Sequence, residues 1–174
     1  MELKEIIEKV DRVQGWFFRP QMEFLYPYAC KAKRVFEIGT YAGRSTLFWT
    51  LCNPKAEIIT VDNCVGDPLG NVTSGTSIDP NIVKKGNILA IHEHSHALVN
   101  RFNLPIDILF VDGSHDFDSL CQDLDDWLPK TNGIVVCHDY MDVWPTVKQA
   151  VDFKLRGKYE ILTDQFGLFV IKTH

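Results

Sequence analysis

The chain has 174 residues, with 18 Lys+Arg against 23 Asp+Glu for a formal net charge of −5, and 45% of its residues are hydrophobic. That is a globular composition, too apolar for disorder and too short for more than one ordinary domain. The acidic balance argues against sequence-independent nucleic-acid binding, which needs a basic footprint, and no apolar run approaches the roughly 20 residues of a membrane span.

In chain order, Leu3, Ile6, Ile7, Val10 and Val13 recur at three- and four-residue steps, the pattern of an amphipathic helix over 2–13 that Gly15 breaks. A second helical stretch, Pro20–Cys30, is rich in aromatics. Then the period changes. Arg34–Ile38 reads as a short buried strand, followed at once by Gly39-Thr40-Tyr41-Ala42-Gly43 and a helix over Arg44–Cys52 that Asn53-Pro54 stops. Glu57–Val61 is a strand ending at Asp62, and residues 63–80 are loop-like. A third strand is expected over Ile88–Ile91, a helix from Ser95 to about Phe102, a strand over Ile106–Val111 and a helix over Asp116–Leu128. Pro129–Gly133 reads as a turn, Ile134–Cys137 as a strand, and Pro145 opens a helix where its missing N–H costs nothing. Tyr159–Leu162 and Leu168–Ile171 close the chain as a hairpin.

Strands alternating with helices at this spacing predict an α/β fold, a mostly parallel sheet covered on both faces. Such sheets bind ligands beyond the carboxyl ends of their strands, near the point where strand order reverses. The five cysteines, at 30, 52, 64, 121 and 137, form no C-x-x-C pair and suggest neither a zinc knuckle nor a disulfide framework. With a polar start that lacks a signal peptide's apolar core, they point to a reducing, cytoplasmic location.

The strand-loop-helix of Glu37–Thr46 is the first candidate site. Glycine lets a backbone approach a ligand closely, and the helix start offers free N–H donors. Its glycines are spaced G-x-x-x-G, unlike a dinucleotide-binding turn, and Glu37 would repel a pyrophosphate but suits a cationic group such as the ammonium of a methionine moiety. An ordinary strand-to-helix turn would read the same. Asp62, 19 residues after Gly43 at the tip of the next strand, adds a carboxylate able to accept from both hydroxyls of a ribose.

The runs VFEIGTYAGRST, ITVD and ILFVDGSHDFDSLCQDLDDWLPKTNGIVVCHDY resemble class I S-adenosylmethionine-dependent methyltransferases, and among them the small-molecule O-methyltransferases with an E-I-G-x-x-x-G-x-S-T loop and a D-G-x-H motif. The resemblance implies a Rossmann-like, doubly wound sheet of seven strands with the last antiparallel. It implies an N-terminal helical layer over 1–30 ahead of a cofactor-binding domain over 31–174. It also implies S-adenosylmethionine contacts at Glu37, Gly39, Thr40, Tyr41, Gly43, Ser45, Thr46 and Asp62, with Asn63 and His92 on the adenosine side.

Asp112-Gly113-Ser114-His115 and His138-Asp139 follow the fourth and fifth strands and project toward one crevice. Asp112 and Asp139, with His138 as a third donor, suit Mg²⁺ or a similar divalent ion, and His115 suits a general base. Metal-dependent relatives carry a carboxylate or amide where this chain has His138 and Tyr140. Asp112 as a helix cap and His138 as a satisfied core residue are the plainer readings. His92, His94 and His96 read as a solvated loop near the cofactor pocket.

The expectation is an O-methyltransferase acting on a small-molecule hydroxyl, with neither nucleic acid nor membrane as partner and a homodimer as one way to complete the acceptor site. A catalytically idle domain that binds S-adenosylmethionine or a nucleotide is the rival from another class. A nicotinamide-dependent oxidoreductase is disfavoured by the glycine spacing and Glu37.

Overall fold

Ile6, Ile7 and Val10 lie on one stripe of α1 (Leu3–Val10) and are buried there, while its Glu and Lys residues face solvent. Pro20 sits in the first turn of α2 (Arg19–Ala29), where a missing N–H is harmless, and Met22, Leu25 and Ala29 form its buried face. The computed structural model describes residues 1–64, 78, 80–84 and 87–173.

From β1 (Arg34–Ile38) onward the chain alternates strands and helices: α3 (Arg44–Cys52), β2 (Glu57–Asp62), α4 (Pro80–Val83), β3 (Asn87–His92), α5 (Ser95–Leu98), β4 (Ile106–Val111), α6 (Phe117–Trp127), β5 (Thr131–Cys137), α7 (Pro145–Lys154), β6 (Glu160–Thr163) and β7 (Phe169–Lys172). The central strands β1, β4 and β5 are buried along most of their length, as expected of a parallel sheet covered on both faces. Seven strands form one sheet in the order β3-β2-β1-β4-β5-β7-β6. The pairs β1–β2, β2–β3, β1–β4 and β4–β5 are parallel, and β7 runs antiparallel to both β5 and β6. Strand order reverses between β1 and β4, as in the doubly wound sheet expected from sequence.

The period of two along each strand divides the core into two layers. Val35, Ile58, Ile108, Phe110 and Val136 pack against α1, α2 and α3 through Ile6, Val10, Met22, Leu25, Phe48 and Trp49. Phe36, Ile59, Leu109, Val111 and Val135 pack against α6 and α7 through Leu120, Leu124, Trp127, Val147 and Val151. Among the described residues, no helix is long and apolar enough to cross a membrane.

Three boundaries differ clearly from expectation, the first being the helix expected over 2–13, which stops at Val10 and gives way to a turn with Val13 N–H on Val10 O at 2.9 Å. The helix expected over 95–102 stops at Leu98, and residues beyond it form turns such as Arg101 N–H to Leu98 O at 2.9 Å. Thr131–Gly133, expected in a turn, begins β5, because Thr131 pairs with Ile106 across the sheet. At Gly133 a Cβ would lie 2.2 Å from the Asp107 carbonyl oxygen, so the turn-like residue is there to let two backbones meet. Of the segment read as a loop, 65–77 and 79 lie outside the described residues.

Candidate active site

The ladder of the sheet runs one residue past the strands and so gathers the tips of β1, β4 and β5. Gly39 N–H donates to Val61 O at 2.8 Å, Asp112 N–H to Ile38 O at 2.8 Å, and His138 N–H to Val111 O at 3.0 Å. Residues far apart in sequence are thereby fixed side by side at the carboxyl edge, around the switch point.

Gly39 has φ +91°, and a Cβ built on it would lie 2.0 Å from the Asp112 carbonyl oxygen. Only glycine lets β1 turn against the end of β4 here. Gly43, at φ +85°, ends the loop and precedes α3. Between them, the backbone N–H groups of Thr40 and Tyr41 both donate to Asp62 Oδ2, at 2.8 and 3.0 Å, while Cys64 N–H donates to Asp62 Oδ1 at 2.7 Å. Asp62 therefore holds the glycine loop in shape and keeps a partly exposed face. His92 lies beside it in the β2–β3 register and is exposed, as is Asn63, whose amide lies 3.4 Å from His94 Nδ1. Tyr41, at φ +47°, packs its ring 5.4 Å from Trp16.

Glu37 takes a different place from the one its sequence position suggests. The period of two that sends Val35 toward α3 sends Glu37 the same way. It is fully buried, accepts from Thr46 Oγ1 at 2.5 Å and from Trp49 Nε1 at 3.1 Å, and burial pushes its carboxyl up to about 7. Thr46 is equally buried and Ser45 nearly so. In this conformation Glu37 and Thr46 serve each other beneath the loop and present no surface to a cofactor. Gly39, Tyr41, Asp62, Asn63 and His92 are the partly or fully exposed members of the expected cofactor set, whereas Thr40 and Gly43 are buried.

The second half of the site stands across Gly39. His115 Nε2 lies 3.0 Å from Asp139 Oδ2, and the His115 ring packs 4.2 Å from Trp144. His138, 4% exposed, brings Nδ1 within 3.1 Å of Asp112 Oδ1 and 3.3 Å of Asp139 Oδ1. Burial opposes charge on the imidazole, but the two carboxylates outweigh it and raise its pKa to about 10. Burial pushes the Asp112 carboxyl up, whereas Asp139, despite its burial, is held below the usual range by two imidazole neighbours. Asp139 adopts φ +55°, a conformation disfavoured for a side chain with a Cβ and tolerated best by Asn and Asp. It carries its carboxylate between the two histidines. Tyr140 leaves the site: its hydroxyl donates to Asp152 and accepts from Arg156, at 2.8 and 2.7 Å.

The donor atoms of Asp112, His138 and Asp139 lie within 4.8 Å of one another. Ligands at right angles around an ion with bonds of about 2.1 Å are separated by about 3 Å, close to the spacings around His138 Nδ1. That nitrogen is buried and completes no hydrogen bond, although both carboxylates lie within 3.3 Å of it. Two carboxylates and an orphaned imidazole nitrogen fit a small divalent cation.

Two connections were invisible in sequence. Arg44, at the start of α3, donates to Phe17 O and Val13 O at 2.7 Å each and pairs with Asp11 at 2.5 Å, strapping the α1–α2 link to the glycine loop. Gln21 of α2 is 2% exposed and lies 3.3 Å from His138 Nε2 through its Oε1. The only sequence signal for it was a polar residue one turn before Leu25 on the buried face of α2.

Structures of other proteins share this architecture. The methyltransferase PaMTH1 of Podospora anserina, solved with S-adenosylhomocysteine, aligns with a TM-score of 0.62 at 19% identity over 97% of this chain and 86% of its own. The O-methyltransferase TomG of Streptomyces achromogenes, solved with S-adenosylmethionine, gives 0.64 at 14% identity over 98% and 87%. MycE, a methyltransferase of mycinamycin biosynthesis solved with Mg, S-adenosylhomocysteine and mycinamycin VI, gives 0.67 at 17% identity over 99% of this chain but only 54% of its own. At these identities the likeness is one of fold. No curated protein sequence matches the chain. A family sequence profile described as a methyltransferase domain matches residues 36–140, from the middle of β1 to the residue after Asp139, and thus spans both halves of the site and most of the chain. The chain belongs to the methyltransferase domain family.

Proposed function

We propose that the protein transfers a methyl group from S-adenosylmethionine to a hydroxyl of a small-molecule acceptor. The observation that carries this reading is the shared wall between the two halves of the site. The backbone of Asp112 lies directly against Gly39, so a ligand on the glycine loop would sit next to His115, His138 and Asp139. The O-methyltransferases of the same fold support the choice of oxygen as acceptor.

When bound, S-adenosylmethionine supplies an already electrophilic methyl group, and a divalent cation supplies Lewis acidity toward the acceptor hydroxyl. The protein's own work is alignment and the handling of one proton. Gly39, Tyr41 and Asp62, with Asn63 and His92, would line the adenosine and methionine parts at the β1–β2 edge. Asp112, Asp139 and His138 would hold the cation. With Nε2 engaged by Asp139, His115 keeps Nδ1 to take the acceptor proton, and Asp139 stabilises the imidazolium that results.

Calorimetric titration with S-adenosylhomocysteine tests the cofactor, and methyl transfer across sugar, phenol and aliphatic alcohol acceptors tests the reaction. Saturable binding and transfer to oxygen, lost on chelation and restored by Mg²⁺ or Mn²⁺, are the expected results. An absence of cofactor binding overturns the reading, and turnover indifferent to chelator removes the metal from it.

A further inference from the structure

Gln21 sits in α2, outside the span matched by the family profile, yet its side chain makes three polar contacts at the edge of the acid cluster. Its Nε2 lies 2.8 Å from Phe166 O, a carbonyl that can only accept, so the amide nitrogen is pinned there. Oε1 is thereby turned the other way. It accepts the Phe18 N–H at 2.7 Å and faces His138 Nε2 at 3.3 Å. An oxygen brings no hydrogen to that contact, so the proton belongs to His138 Nε2. The ring is also walled by Phe17 and Phe110, with centroids 6.2 and 5.8 Å away.

We propose that Gln21 is a positioning residue for the methyl-transfer site: its amide, clamped between Phe166 and Phe18, keeps His138 protonated on Nε2 and aims Nδ1 at Asp112 and Asp139. The inference rests on the site assignment above and adds to it a reason for the N-terminal helices. With the ring reversed, or with Nε2 unprotonated, Gln21 Oε1 would face a lone pair or a carbon in a buried space. The clamp forbids both. Nδ1 is then presented to the carboxylates in one orientation, whether it carries a second proton or gives its lone pair to a cation. Outer partners of this kind commonly set the tautomer and orientation of a ligating histidine. Had Gln21 only a capping role for α2, through the Phe18 N–H, its loss would leave the imidazole untouched.

The test compares the wild-type chain with Gln21→Met, which removes the acceptor at similar volume, and Gln21→Glu, which keeps an acceptor oxygen. Protein labelled with ¹⁵N-histidine reports the His138 Nε2–H directly, and a titration with Mn²⁺ alone reports the donor set. The expected result is a slowly exchanging Nε2–H resonance in the wild type and Gln21→Glu that is lost or fast-exchanging in Gln21→Met. Mn²⁺ affinity should fall about tenfold or more in Gln21→Met and recover largely in Gln21→Glu. S-adenosylhomocysteine binding should hold in all three, as the check that the fold is intact. An unchanged Nε2–H resonance in Gln21→Met overturns the proposal. Should Gln21→Met not fold, loss of the resonance in a folded Gln21→Glu protein overturns it and its persistence supports it. If the wild type takes up no Mn²⁺, the metal in the functional reading falls, while the imidazole resonance still decides the role of Gln21.

Discussion

Asp139 is shared between two imidazoles: its Oδ2 lies 3.0 Å from His115 Nε2, and its Oδ1 lies 3.3 Å from His138 Nδ1. A carboxylate held this way orients one ring for proton transfer while neutralising the other. Removing His115 should therefore harm turnover far more than binding. His115→Ala is expected to lower kcat by about 10²–10⁴-fold while S-adenosylhomocysteine affinity stays within a few-fold. Steady-state methyl transfer with calorimetry on the same sample checks this, and undiminished turnover would remove His115 as the base.

Glu37 makes stability depend on pH in an unusual direction for a carboxylate. Burial raises its pKa from 4.5 to about 7, so between those values the folded chain keeps a proton that the unfolded chain has released. Stability contributed by this group is present below pH 4.5 and declines as pH climbs toward 7, by on the order of 3 kcal/mol across the window. Burial pushes Asp123 up too, to about 6, and adds a trend of the same sign. Urea midpoints at pH 5, 6, 7 and 8 should fall more steeply for the wild type than for Glu37→Gln. Parallel curves would mean that Glu37 does not titrate in this range.

Gly39→Ala is expected to be among the most damaging single changes. The new Cβ would stand 2.0 Å from a backbone oxygen of Asp112 at φ +91°, so the strand tips themselves must part. A loss of about 3 kcal/mol or more is expected, with weaker cofactor binding, measured by thermal unfolding and calorimetry. A variant as stable as the wild type would contradict the close approach of β1 and β4.

Arg44→Ala removes the strap between α3 and the α1–α2 link, leaving the Val13 and Phe17 carbonyls without this donor. A cost of about 2 kcal/mol is expected. Trypsin should then cut after Arg12 faster than in the wild type, because local opening of the link becomes easier. Unchanged cleavage would show that the link is held by the apolar contacts of α1 and α2 alone.

Helices and strands were legible where an apolar run or period was unbroken, as in β4 and α6, and where punctuating residues bounded them, as Gly43 and Asn53-Pro54 bound α3. Thr131–Gly133 was misread because local turn chemistry lost to pairing with β4, a contact between residues that are distant in sequence. The grouping of Asp112, His115, His138 and Asp139 could be anticipated, since both pairs follow strands of a parallel sheet. Glu37 lies in the strand as expected, but its partners beneath the loop were not legible in the sequence. The same alternation that buries Val35 against α3 buries Glu37 there, among donors from Thr46 and Trp49.

The amino-acid sequence alone determined the order of elements, the glycine loop, the acidic tip of β2 and the two polar pairs after β4 and β5. These are written in local periodicity and in residues that punctuate it. Only the tertiary structure decided which groups face one another: that Asp62 holds the loop amides, that Asp139 serves two histidines, and that Gln21 meets His138 across 117 positions of chain. Side-chain partners are chosen by register, helix packing and burial, and these depend on the whole sheet being assembled. A linear pattern can say that a residue lies at a strand's end, but the neighbours waiting there come from elsewhere in the chain.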